Sequence, residues 1–165
     1  MDTYCEQIVK TKKGAKYYFG VVGIWLAAVI LAYLGLVFLG IIAPILIVTV
    51  GYGAYYLCGF LSVEYEYIIT NGTMDIDVIY AKRSRKRLSS FELSTVESIE
   101  KYKGEAIDKN RFKKSVVSYG AGNDAYKMIM SSDSGLILAV ISPDERTRQE
   151  IVKWVPKFVG NTAFR

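Results

Sequence analysis

Residues 17–63 read YYFGVVGIWLAAVILAYLGLVFLGIIAPILIVTVGYGAYYLCGFLSV, and this stretch decides the fold. It holds 47 residues and contains no Asp, Glu, Lys or Arg. A transmembrane helix needs about 20 apolar residues, so two helices and a short turn account for nearly all of it, whereas one helix would leave half unexplained. The core of a soluble domain would be interrupted by charges at helical or strand spacing. We therefore predict a membrane-spanning α-helical hairpin over residues 17–63.

Gly40 and Pro44 mark the turn of this hairpin. Glycine commonly ends a helix, and proline suits a first helical turn because its missing N–H has no partner to lose there. The two residues predict a first helix over Tyr17–Leu39 and a second over Ile45–Val63. Small residues recur at helical spacing on both helices, which either indicates close helix packing in lipid or reflects composition alone. They are Ala28, Ala32, Gly35, Gly51, Ala54 and Cys58.

Flanking charges predict the orientation of the hairpin. The N-terminal tail, residues 1–16, contains four lysines from position 10 onwards, and the predicted turn contains no basic residue. Cytoplasmic segments next to membrane helices are enriched in Lys and Arg. The sequence therefore predicts a multi-pass protein of the cell membrane, with both termini in the cytoplasm.

Residues 49–53 spell TVGYG, the string found in potassium-channel selectivity filters. A filter is followed by a full spanning helix, but only residues 54–63 remain before the first acidic residue, Glu64. Short motifs also match frequently by chance. An oligomeric ion-conducting or transport protein that uses this stretch of the second helix is therefore our alternative prediction.

Residues 64–165 predict a cytoplasmic α+β domain. Alternating apolar and polar residues, with a hairpin signal at Asn71-Gly72, predict seven strands. They lie at residues 64–70, 74–80, 88–93, 96–102, 115–119, 125–130 and 136–141. A C-terminal helix follows, with Ser142 as its predicted N-cap and Glu145 as the capping-box partner. The apolar stripe expected to cover the sheets consists of Ile151, Trp154, Val155 and Phe158.

A basic run follows the second predicted strand, at Lys82, Arg83, Arg85, Lys86 and Arg87. The first strand leaves the membrane and the second returns over a similar length, so the run should arrive near the lipid headgroups. Each basic residue near an anionic leaflet contributes about 1 kcal/mol. We predict that these five residues contact anionic lipid at the membrane surface; a solvated loop is the alternative. The run lacks the interleaved aromatic residues typical of nucleic-acid binding.

No catalytic motif is evident, and the sequence predicts that the chain is not an enzyme. Histidine is absent, as are phosphate-cradling and nucleophile-elbow motifs. The two cysteines, Cys5 and Cys58, are too few for a zinc site, so neither a metal nor a cofactor is expected. Asp75 and Asp77 share one face of a predicted strand, and we interpret them as solvated carboxylates.

Seven antiparallel strands closed by a C-terminal helix match the layout of a pleckstrin-homology (PH) barrel or sandwich. Residues 64–72 (EYEYIITNG), 74–77 (MDID) and 96–99 (VESI) resemble a bacterial PH-like domain. The whole chain, with its MDTY…EQIVK start and VEYEYIITNG junction, resembles a family of small bacterial membrane proteins with two transmembrane helices. The resemblance implies a fold and a topology and assigns no functional residue.

These observations predict a membrane-anchored PH-like module at the cytoplasmic membrane face. Its predicted role is protein interaction or self-association, because PH-like barrels offer sheet edges and loops for recognition. The expected partners are the lipid bilayer, a membrane or cytoplasmic protein and a second copy of the chain.

Overall fold

The computed structural model describes residues 3–11, 13–108, 111–120, 124–132 and 135–164. Over these residues the chain divides into two compact units. The helical unit comprises Lys12–Val63 and Tyr80–Ser84, and the strand unit comprises Met1–Thr11, Glu64–Ile79 and Arg85–Arg165. The helical segment therefore interrupts the strand unit in sequence.

The helical unit contains helix α1 (Ala15–Leu39), a 3-10 turn (Gly40–Ile42) and helix α2 (Ala43–Phe60). Gly40 ends α1 with a φ of +50°, and Pro44 lies in the first turn of α2, so both boundary signals are confirmed. The predicted second helix was too long, because strand structure begins at Val63.

The two helices pack antiparallel. Gly35 abuts Leu46 near the turn, and a Cβ at Gly20 would lie 3.1 Å from Leu61 at the opposite end. The whole helical stretch Ala15–Phe60, of 46 residues, is long and apolar enough to cross a membrane by length and composition.

The strand unit contains two four-stranded sheets in the described part of the chain, which confirms the α+β class. The first sheet has the order β1-β2-β3-β4, with β1 Tyr4–Lys10, β2 Val63–Thr70, β3 Thr73–Tyr80 and β4 Ser84–Glu92. The second has the order β5-β7-β8-β6, with β5 Val96–Lys101, β6 Lys114–Ser118, β7 Tyr126–Ser132 and β8 Gly135–Ile141. Each predicted strand is present with shifted ends, and β4 starts early enough to include Arg85.

The prediction of a wholly antiparallel arrangement is wrong at one pair. Strands β6 and β8 are parallel, with Lys114 opposite Ile137 and Ser118 opposite Ile141. The cause is the strand order. Strand β7 intervenes between β6 and β8 in sequence and reverses the chain, so β8 runs in the direction of β6 and lies next to it in the sheet. Sequence alternation identifies a strand but does not reveal which neighbour it pairs with.

Residues 1–16, which we interpreted as a tail, contain a strand that sequence analysis missed. Strand β1 pairs antiparallel with β2, from Tyr4 opposite Thr70 to Lys10 opposite Glu64. Cys5 and Val9 point into the core. The polar residue between them, Gln7, is also buried, and it hides the apolar alternation that would have indicated a strand. Residues 1, 2 and 12 lie outside the described residues.

Strand β1 is fixed to the rest of the strand unit by its inward side chains. The Gln7 amide donates to the Ser142 carbonyl at 3.1 Å and accepts from the Asp144 amide at 2.9 Å. On the other side, Gly120 lies directly against the Lys10 carbonyl. A buried amide with both hydrogen-bonding groups satisfied is costly to displace, so β1 belongs to the core structure.

Tyr67 joins the two sheets across the core. Its side chain is fully buried. The hydroxyl donates to the Ser118 carbonyl at the end of β6 and accepts from the Ser142 amide after β8 at 3.1 Å. Burial raises the pKa of Tyr67 to about 12, so the hydroxyl stays a neutral donor at physiological pH.

The C-terminal helix begins later than the sequence indicates. Helix α3 runs over Glu145–Trp154. Its N-cap is Asp144, whose Oδ1 accepts from the Thr147 amide at 2.8 Å. The prediction of Ser142 as N-cap is therefore wrong, and the reason is that the backbone of Ser142 is already bonded to Gln7 and Tyr67.

The predicted apolar stripe is partly wrong. Ile151 and Val155 are buried, but Phe158 is 68% exposed. Pro156 separates α3 from the short helix α4 (Lys157–Gly160), since proline cannot continue a helix. The break ends the 3.6-residue period, and Val159 takes the buried position instead of Phe158.

We expect Gly120→Ala to destabilise the strand unit. The added Cβ would overlap the Lys10 carbonyl, a backbone atom that cannot rotate away. Forcing extra volume into a packed site typically costs about 1–3 kcal/mol. Chemical denaturation of the detergent-solubilised chain, followed by Trp154 fluorescence, measures this loss. Gly160→Ala is the matched control, because its Cβ would meet neighbours at an ordinary 3.6 Å; equal stability of the two variants would contradict the close packing of β1.

Candidate functional site

The outer face of the first sheet carries a charge ladder, which we define as Glu66, Asp75, Asp77, Arg85 and Arg87. Alternate residues of a strand share one face, and this places β2, β3 and β4 side chains together. Arg87 contacts Asp75 at 2.9 Å and Asp77 at 3.1 Å, and Arg85 contacts Glu66 at 3.0 Å. The interpretation of the two aspartates as solvated carboxylates is therefore wrong, because one guanidinium spans both.

Glu66 is the most enclosed member of the ladder. Its side chain is 0% exposed, whereas that of Arg85 is 58% exposed. Burial and a hydrogen bond with Glu6 raise the pKa of Glu66, and the Arg85 charge opposes this shift only in part. The Tyr4 hydroxyl donates to Glu6 at 2.5 Å and, together with the bond from Glu66, lowers the pKa of Glu6. Glu6 of β1 and Glu66 of β2 thus influence each other's protonation.

The five basic residues predicted to contact lipid divide into two groups. Arg85 and Arg87 belong to the charge ladder on β4, and Lys86 lies between them on that strand and is exposed. Lys82 and Arg83 lie in the turn Tyr80–Ser84, which is part of the helical unit. Sequence analysis could not separate the groups, because the acidic partners of Arg85 and Arg87 come from other strands.

We call the segment Tyr80–Ser84 the basic turn. It bonds to the end of the helical segment, since the Ala81 amide donates to the Ser62 carbonyl at 3.1 Å. The Arg83 guanidinium lies 5.6 Å from the centre of the Tyr56 ring on α2. Ala81 and Lys82 have φ values of 53° and 57°, a left-handed backbone that non-glycine residues rarely adopt. The turn is therefore held against α2 by a backbone hydrogen bond and a cation–π contact.

The six small residues predicted at the helix contact lie on the less exposed parts of α1 and α2. Ala28, Gly35 and Ala54 are buried, and Ala32, Gly51 and Cys58 are half-buried. The two helices approach closely at Gly35, because a Cβ there would overlap the Leu46 side chain. At Gly51 a Cβ would meet no atom within 4 Å. Close backbone approach at small residues is a means of helix association in lipid.

The TVGYG stretch lies inside α2 as regular helix. The Thr49 hydroxyl donates to the Ile45 carbonyl at 2.8 Å, and helix carbonyls are occupied by bonds along the axis. A selectivity filter instead directs its carbonyls at the ion. The transport role remains a prediction that this conformation does not support.

Two other features of the described residues bear on metal or ligand binding. Among them no group of three or more His, Cys, Asp or Glu is placed to hold a metal ion. A cleft of about 240 Å³ is lined by Trp154, Gly72 and Glu92. The Trp154 indole also lies directly against Gly72.

Two sheets closed by a C-terminal helix, with an apolar helical segment inserted after the first strand, match a PH-like domain. The profile of the family described as Bacterial PH-like domain (DUF6106) matches residues 1–161. The chain belongs to this family, and the match includes β1 and the helical segment. A search of curated proteins found no match.

We expect Glu66→Gln to change the pH dependence of stability. Because the folded pKa of Glu66 is raised, its favourable contribution is complete below the unfolded pKa of about 4.5 and is lost as pH rises through the folded pKa. The variant lacks this loss, so its stability relative to the unmodified chain should increase with rising pH. Thermal unfolding between about pH 4 and pH 8 tests this. Glu97→Gln, which replaces an exposed carboxylate on β5, is the control, and parallel profiles for the two variants would contradict the raised pKa of Glu66.

Proposed function

We propose that this chain is a membrane-anchored PH-like module whose helical unit crosses the bilayer twice. The observation that supports this is the pairing of β1 with β2. One strand precedes the helical segment and the other follows it, so both ends of the segment lie on the same side of any membrane. Such a segment crosses an even number of times, and residues 17–63 contain enough apolar residues for two crossings.

The charge distribution supports a cytoplasmic location for both termini. Lys13 and Lys16 precede the hydrophobic part of α1, and the basic turn adjoins the end of α2. The opposite end, at Gly40–Ile42, contains no charged residue. Basic residues are retained on the cytoplasmic side, which favours the PH-like domain inside the cell and the turn outside.

The proposed role of the domain is non-catalytic recognition of a protein, either another protein or a second copy. Three apolar side chains of α3 and α4 are exposed: Val152, Trp154 and Phe158. Val152 lies 3.6 Å from where a Cβ of Gly160 would stand, so α3 and α4 are adjacent. Aromatic residues are enriched at the centres of protein interfaces. Phe158 contributes little to the stability of the fold, because most of its side chain is exposed.

We expect a cysteine in the turn between α1 and α2 to be labelled in intact cells, and a cysteine in the PH-like domain not to be labelled. In a chain carrying Cys5→Ala and Cys58→Ala, Ile41→Cys should react with a membrane-impermeant maleimide, because Ile41 is 96% exposed at the turn. Lys103→Cys, in the PH-like domain, should react only after the membrane is permeabilised. Labelling of both positions in intact cells, or of neither, would contradict the two-crossing topology.

We expect Phe158→Ser to weaken the proposed association. The full chain is extracted in native-lipid nanodiscs, and its complexes are measured by mass photometry and quantitative proteomics. The serine variant should lose a larger complex that the unmodified chain retains, with a weakening of about tenfold or more if Phe158 is a hot spot. Val117→Ser is the control, because Val117 is an exposed apolar residue on β6. A monomer without partners in every form would contradict the role, as would equal losses in both variants.

A further inference from the structure

The net positive charge of the chain lies entirely in the helical unit. Residues 12–63 and 80–84 contain five Lys and Arg and no Asp or Glu. The other 16 Lys and Arg are equal in number to the 16 Asp and Glu of the chain, all of which lie in the strand unit. The strand unit is thus neutral overall, and the net charge of +5 belongs to the apolar unit.

The described basic residues of the helical unit gather at one end of it. Gly20 and Leu61 approach each other where α1 begins and α2 ends. Lys13 lies on the α1 side of this end, with its ammonium 4.9 Å from the centre of the Tyr17 ring. The basic turn lies on the α2 side, bonded to Ser62. This end is where the apolar surface of the helices gives way to polar chain.

Two cations of the basic turn are available to a ligand. Within the part of the chain that the structure describes, neither Lys82 nor Arg83 forms an ion pair, in contrast to Arg85 and Arg87. Both side chains are exposed. The Tyr56 ring holds the Arg83 guanidinium by a cation–π contact, which orients the group and leaves its hydrogen-bond donors free.

We propose that Lys82 and Arg83 form a binding site for the phosphate of an anionic lipid headgroup, with Tyr56 as a positioning residue. An Arg fork binds phosphate oxygens in a directed, bidentate manner, and Lys adds a point charge. Backbone hydrogen bonds from Ala81 to Ser62 and from Arg83 to Tyr80 hold the turn in place, which reduces the entropy lost on binding. A bilayer is the source of this phosphate because the site adjoins the apolar helices that the bilayer surrounds.

This inference rests on the proposed two-crossing anchor. It reduces the residues predicted to contact anionic lipid from five to two. Arg85 and Arg87 contribute little to it, because Glu66, Asp75 and Asp77 neutralise them. Of the three basic-run residues that remain, Lys86 lies on β4 in the strand unit. The lipid-binding charge of the helical unit is therefore carried by Lys82 and Arg83, supported by Lys13 before α1.

The test uses the full chain in nanodiscs made from equal amounts of phosphatidylglycerol and phosphatidylcholine. Native mass spectrometry of the released protein measures the ratio of the two lipids that it retains. The unmodified chain should retain phosphatidylglycerol preferentially. In the Lys82→Ala/Arg83→Ala variant, the ratio of retained phosphatidylglycerol to phosphatidylcholine should fall about fivefold for each positive charge removed. Tyr56→Leu should lose part of it, and Tyr56→Phe should keep it because the ring remains.

Lys103→Ala/Lys157→Ala is the matched control, since it removes two positive charges from the strand unit. Retained preference in this control supports the site, and an equal loss would show a general charge effect and overturn it. Unchanged preference in the Lys82→Ala/Arg83→Ala variant would also overturn it. Resistance to carbonate extraction is measured in parallel: failure of the unmodified chain to insert would contradict the membrane anchor itself, whereas insertion without lipid preference contradicts only the headgroup site.

Discussion

The pairing of β1 with β2 is the constraint on which the rest of the structure depends. It joins residues that are separated in sequence by the whole helical segment, from Lys10 to Glu64. Closing a long flexible loop is entropically costly. An antiparallel hairpin brings its own ends together, however, as the approach of Gly20 to Leu61 shows. The helices thus reduce the cost of forming the sheet.

The two units differ in whether their basic side chains have acidic partners. In the strand unit, cations and carboxylates meet across strands, and the ladder around Arg87 neutralises part of what looked in sequence like a free basic run. In the helical unit, Lys82 and Arg83 have no acidic residue in their own unit to meet. The difference matters because exposed, unpaired cations near a bilayer interact with its anionic surface, whereas neutralised ones do so much less.

The sequence predicted what is determined locally. Gly40 and Pro44 identified the turn between the helices, because their backbone preferences act within a few residues. Asn71-Gly72 identified the β2–β3 hairpin, and Asn71 indeed has a positive φ of 49°. The α+β class and the PH-like family followed from seven alternating runs and from the quoted motifs.

The remaining features depend on contacts between distant residues. The buried polar residue Gln7 concealed β1, since its partners, Ser142 and Asp144, are remote in sequence. The partners of Arg85 and Arg87 became evident only once β2, β3 and β4 stood side by side. Phe158 looked like a core residue until Pro156 interrupted the helical period. The lipid contact of the basic run stays a prediction, and only the structure shows that Arg85 and Arg87 have acidic partners there.

One chimeric chain tests the central claim that β1 belongs to the PH-like domain and the helices are an insertion. Lys10 and Glu64 are direct partners across the strands, so an Asn-Gly turn can join them in place of the intervening residues. Equilibrium unfolding of this chimera is compared with that of residues 64–165 alone. We expect the chimera to be water-soluble and to unfold cooperatively, and the fragment without β1 to lack a cooperative transition. Equal unfolding free energies for the two chains would show that β1 is not part of the domain and would contradict the account.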